Sequence, residues 1–108
     1  MVFLDIFSQK PNYSNSYLIC NTTSIKTKSF PSLKKIKIFI KDSEEFISLD
    51  GVAFDAWRLM NKRILFEDLI KKLKNIYDVP EEELKRDLIK FISSLEKNNL
   101  VKITKEKD

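Results

Sequence analysis

The chain predicts an α+β domain in which an N-terminal antiparallel β-hairpin or three-stranded sheet precedes three helices. Two observations carry that expectation. Apolar residues recur with a period of two between Lys35 and Leu49, and with a period of 3.6 between Ala53 and Leu95. The period changes at Gly51, the only glycine in 108 residues.

In "KKIKIFIKD", Ile36, Ile38 and Ile40 fall on one face and Lys35, Lys37, Phe39 and Lys41 on the other, the pattern of a half-buried strand. "DSEE" reads as a turn, and "EFISLD" follows as a second strand with Ile47 and Leu49 on one face, which completes a hairpin. Ala53, Ala56, Trp57 and Met60 then form a helical stripe. Asp50 stands where an N-cap belongs, and Gly51 permits a tight turn and a close approach to neighbouring chain. A second helix is expected from Phe66 to Tyr77. A third starts in "DVPEEE", where Pro80 suits a first turn and three glutamates complement the helix dipole. It carries Leu84, Leu88, Phe91 and Leu95 on a narrow arc assigned to the core. It ends near Asn98-Asn99, where asparagine accepts a left-handed cap. "LVKI" (Leu100–Ile103) reads as a short strand. This order gives a winged helix-turn-helix-like domain over residues 34–104. Residues 1–33, rich in Ser, Thr and Asn, read as an N-terminal extension of loop with a possible extra strand at Val2–Phe7 or Tyr17–Cys20. Residues 105–108 read as a disordered tail.

Composition removes several function classes. There is no histidine and a single cysteine, so no thiolate–imidazole pair and no zinc set can be assembled, and no internal disulfide. One glycine leaves no phosphate-cradling loop. The carboxylates interleave with lysines, as on solvated helix faces. The expectation is a protein with no catalytic residues, no metal and no cofactor. No apolar run approaches the roughly 18 residues of a membrane span, and the N-terminal stretch lacks the pattern of a signal peptide, so a cytoplasmic location is expected. The net charge of +4 gathers at Lys34-Lys35-Ile36-Lys37, Lys62-Arg63 and Lys71-Lys72-Leu73-Lys74, which suit nucleic acid, an acidic peptide or plain solvent.

From Phe46 to Ile103 the ordered features resemble the PqqD-like family, the precursor-recognition elements of ribosomally synthesised, modified peptides. The resemblance rests on Phe46-Ile47-Ser48-Leu49-Asp50, then Ala53, Ala56 and Trp57 in a first helix. It continues with Tyr77-Asp78 ending the second, Asp87 in the third, and the closing pair Leu100-Val101. What the resemblance implies is a non-catalytic peptide chaperone. Such a protein binds a precursor's leader and presents it to a modifying enzyme such as a radical-SAM enzyme or a cyclase/protease. The leader adds as a strand to a sheet edge and lies against the third helix. On that reading the candidate peptide-binding residues are Glu45, Phe46, Ile47, Ser48 and Leu49 of the edge strand, with Lys85, Arg86, Ile89 and Ile92 on a flank of the third helix. Ile89 and Ile92 would meet apolar leader side chains, and Lys85 and Arg86 acidic ones. No membrane partner is expected, and monomer and dimer both stay open.

A DNA-binding winged helix-turn-helix regulator is the competing reading. Glu81-Glu82-Glu83 opens the third helix and would repel phosphate, which disfavours it. A third reading makes residues 1–33 a docking arm for a larger enzyme.

Overall fold

The computed structural model describes residues 12–106. Its strands are β1 (Ser16–Cys20), β2 (Ile25–Phe30), β3 (Lys35–Ile40), β4 (Phe46–Asp50), β5 (Ile64–Leu65) and β6 (Val101–Lys105). Its helices are α1 (Val52–Leu59), α2 (Phe66–Ile76) and α3 (Glu81–Lys97). A single 3-10 turn, Pro31–Leu33, joins β2 to β3.

The strands form two antiparallel three-stranded sheets, β2-β3-β4 and β5-β1-β6. The expected hairpin is β3–β4, with Ile36 opposite Leu49 and Ile38 opposite Ile47. β2 adds on its far side, Thr27 opposite Ile38. The isoleucine face points inward as the period-two pattern requires: Ile36, Ile38 and Leu49 are buried in one core with Trp57, Phe66, Leu88 and Leu95. Helices cover that face only.

The second sheet ties the two ends of the described chain together. β1 pairs with β6 along its whole length, from Ser16 opposite Lys105 to Cys20 opposite Val101. Residues 12–33, read mainly as loop, thus hold β1 and β2. The C-terminal strand runs through Lys105, two residues past the end expected for "LVKI", and takes in a residue assigned to the tail. Val2–Phe7 lies outside the described residues.

Gly51 turns the chain from β4 into α1 with φ +60° and ψ −127°, a conformation that L-residues with a Cβ avoid. Its N–H donates to the Lys34 carbonyl at 3.0 Å, so the corner is pinned to the start of β3. Two expectations are corrected here. Asp50 is the last residue of β4 and makes no capping hydrogen bond to α1. A Cβ on Gly51 would also meet no atom within 4 Å, so the glycine is required by its backbone angles and not by a close approach. Asn99 takes the left-handed conformation at the end of α3, with φ 59°.

Asp55 lies just past this corner, within α1, with 3% of its side chain exposed. The Tyr77 hydroxyl donates to its Oδ2 at 2.6 Å, Lys34 Nζ to the same oxygen at 3.0 Å, and the Arg58 guanidinium to Oδ1 at 3.1 Å. Burial would raise this carboxyl, but the hydrogen bonds from Tyr77, Lys34 and Arg58 outweigh it and hold the group below the ordinary aspartate value. The Lys34 and Arg58 side chains are about half exposed, at 48% and 55%, so solvent screens their share. The hydrogen bond from the Tyr77 phenol is the largest of the influences that lower the Asp55 carboxyl. Asp55→Asn should cost about 1–2 kcal/mol in urea unfolding. A depressed carboxyl stabilises the fold above its unfolded value near ~4 and loses that contribution as pH falls through the folded value. Wild-type stability should therefore drop on acidification below about pH 4, more steeply than that of Asp55→Asn.

Candidate functional site

β4 is the outer strand of its sheet, hydrogen-bonded to β3 alone. The orientation of its backbone follows from the ladder. Residues directly opposite alternate between exchanging both hydrogen bonds and exchanging none. The Gly51–Lys34 bond makes that pair a bonded one. With Lys35 opposite Asp50, the bonded positions on β4 are therefore Leu49 and Ile47. Phe46, Ser48 and Asp50 turn their N–H and C=O groups away from β3, onto the open edge. The side chains of Ile47 and Leu49 point inward, half-buried and buried, while Phe46, Ser48 and Asp50 are exposed. The edge thus offers a row of unpaired backbone groups beside two apolar inward positions. Glu45 precedes the strand in the turn, where its N–H donates to Ser43 Oγ at 3.1 Å.

α3 buries Leu84, Leu88, Ile92 and Leu95, each with 2% or less exposed. Phe91 and Ile89 flank that stripe on opposite shoulders, both half-buried against the core. Ile92, assigned to the peptide flank, is therefore a core residue with 0% exposure, and Phe91, assigned to the core, lies at its margin. The spacing is symmetrical: residue 91 and residue 92 each stand three or four positions from both Leu88 and Leu95, so either could have completed the stripe.

Lys85, Arg86 and Ile89 do come together, on an open concavity that continues through Lys90, Ser93 and Lys97. Lys85, Ile89, Ser93 and Lys97 recur every four residues, a spacing that could have revealed the last two in the sequence. Glu82 is the only carboxylate among the described residues of this surface, so it is distinctly basic. On a neighbouring turn of α3, outside this lining, Glu96 Oε1 accepts from the Tyr13 hydroxyl at 3.2 Å, and burial together with the Glu96 charge raises the Tyr13 pKa. β4 contributes no residue to this concavity, so the edge strand and the helix flank are two separate surfaces.

Cys20 donates to the Trp57 carbonyl at 3.4 Å, and burial pushes its thiol up to about 12, which keeps it protonated and poorly nucleophilic. Among the described residues no cluster of three metal-ligating side chains occurs, and no helix is long and apolar enough to cross a membrane.

Two three-stranded antiparallel sheets, three helices sharing one core with them and a basic helix flank define an α+β domain of the winged-helix type. Residues 38–101 match the family described as coenzyme PQQ synthesis protein D (PqqD), over more than half of the chain. The chain belongs to that family. No curated protein matches it in sequence. Among solved structures it is similar to TbiB1 in complex with the TbiA(beta) leader peptide, with a TM-score of 0.65 and 19% identity. The likeness covers 78% of this chain and 94% of that one, and establishes a shared fold.

Substitutions should separate core from surface on α3. Ile92→Ala should cost about 2–4 kcal/mol in chemical denaturation, as for a fully buried aliphatic side chain. Ile89→Ala should cost less than about 1 kcal/mol.

Proposed function

We propose that this protein is a non-catalytic peptide chaperone. It binds the leader segment of a ribosomally synthesised precursor peptide by strand addition to β4 and presents it to a modifying enzyme. The observation that carries this reading is the open backbone edge at Phe46, Ser48 and Asp50, set beside the apolar inward side chains of Ile47 and Leu49. An added strand gains affinity from backbone hydrogen bonds that any sequence can make. Its specificity comes from every second side chain, which turns inward beside Ile47 and Leu49. Lys85, Arg86 and Ile89 on α3 supply the second contact, an apolar point within a basic surface that suits a leader with acidic and aliphatic side chains. Family membership and the shared fold of a neighbour described with a leader peptide both support the reading. So does an unreactive thiol in a chain without histidine. The enzyme served would be a radical-SAM enzyme or a cyclase/protease, and the chaperone itself would need no cofactor.

β2 is the opposite edge of the same sheet, and its inward positions Thr27 and Ser29 are polar, which is why β4 is the edge chosen. Proline substitution discriminates between them. Ser48→Pro removes an N–H from the open edge and leaves the β3 ladder intact, a position where sheets tolerate proline. The variant should stay folded by circular dichroism and lose leader affinity by at least ~tenfold in calorimetry. Thr27→Pro, at the matching open position of β2, should bind as wild type. Ile89→Glu should remain folded and also lose the peptide, because it places a charge at an apolar contact. Unchanged binding by Ser48→Pro would contradict strand addition at β4.

A further inference from the structure

The outer face of the β2-β3-β4 sheet is bare of helices, and its composition is unusual. Lys28 stands directly opposite Lys37, a like-charge cross-strand pair that disfavours the isolated sheet. Two residues along β3, Phe39 stands opposite Phe46, and their rings lie 5.6 Å apart at 36° while remaining 40% and 50% exposed. Lys37 Nζ sits 5.3 Å from the Phe46 ring centroid, and so links the charged and aromatic parts of the face. Lys26 and Lys35 lie on the same face, opposite Phe39 and Phe30. Asp50 is the one carboxylate on the ladder here; the acids Asp42, Glu44 and Glu45 belong to the β3–β4 turn. Among the described residues none of these four lysines takes part in an ion pair.

A pair of facing lysines and a pair of exposed phenylalanines are both arrangements that a covering partner would relieve. We infer that this face docks a protein surface in which carboxylates surround an apolar patch. On the functional reading proposed above, on which this inference rests, that surface belongs to the modifying enzyme. The placement suits the task. A leader on the β4 edge and the α3 flank leaves the outer face free, so peptide and enzyme bind together, with the peptide's own outward side chains next to Phe46.

The test uses the full chain, the leader peptide and the modifying enzyme encoded beside its gene, with docking measured by biolayer interferometry and leader binding by calorimetry. Lys37→Glu turns the Lys28–Lys37 repulsion into an opposite-charge pair, so the variant should melt no lower than wild type. It should hold the leader within about twofold of wild type and lose enzyme docking by ~tenfold or more. Phe39→Ser should lose docking likewise, and salt should weaken the wild-type interaction. Enzyme docking unchanged in Lys37→Glu would overturn the inference, as would an enzyme that does not bind wild type. Equal loss of leader and enzyme would assign the face to the peptide instead. Tighter binding of a fluorescein-labelled single-stranded oligonucleotide than of the enzyme would assign it to nucleic acid. If wild type binds the enzyme but no leader, the chaperone reading fails, and the loss in Lys37→Glu still decides the face.

Discussion

Asp55 keeps a negative charge where almost no solvent reaches it, and three donors from three parts of the chain converge on it. Lys34 comes from the turn that starts β3, Arg58 from the same helix, and Tyr77 from the end of α2. Leaving a buried charge in that position unpaired would cost about 3–5 kcal/mol, which favours keeping the three elements in a fixed relation. The Gly51 N–H bonds the Lys34 carbonyl a few residues away. Together they lock the corner at which the sheet hands the chain to the helices. That corner decides where β4 ends, and it leaves helices on one face of the sheet and β4 as an outer strand.

Function on this account grows from what the core leaves uncovered. The helices satisfy the inward face, so Ile36, Ile38 and Leu49 are buried and need no partner. The free edge of β4 retains its hydrogen-bonding capacity, and short exposed edges of this kind are used either for recognition or for unwanted pairing. The α3 flank, a separate surface, adds cations around Ile89. Among the described residues no cluster of three metal-ligating side chains occurs, and burial keeps the Cys20 thiol protonated. Both surfaces offer binding contacts, backbone groups along β4 and cations around an aliphatic side chain on α3.

The β3–β4 hairpin and all three helices were legible because each buries one face and so imposes its own period on the apolar residues. β2 was not: Ile25 and Phe30 are its only apolar residues, and the Lys, Thr and Ser between them are exposed, so no alternation signals a strand. The pairing of β1 with β6 joins residues more than 80 positions apart, and their short runs hold no mark of each other. Of the candidate site, Ile89 and the cations beside it could be read from helical spacing. Ile92 could not be told from Phe91, since both fit the stripe equally. Asp55 looked like one more surface charge, because its partners Lys34 and Tyr77 come from distant parts of the sequence.

The central claim is that a peptide strand completes the ladder of β4, and backbone amide hydrogen exchange tests it most directly. In the free protein the amides of Phe46 and Ser48 face solvent and should exchange rapidly, while those of Ile47 and Leu49 are held by β3. Saturation with the leader peptide should slow Phe46 and Ser48 selectively and shift their resonances. A leader that binds while these two amides exchange as fast as before would contradict the account and place the peptide elsewhere on the molecule.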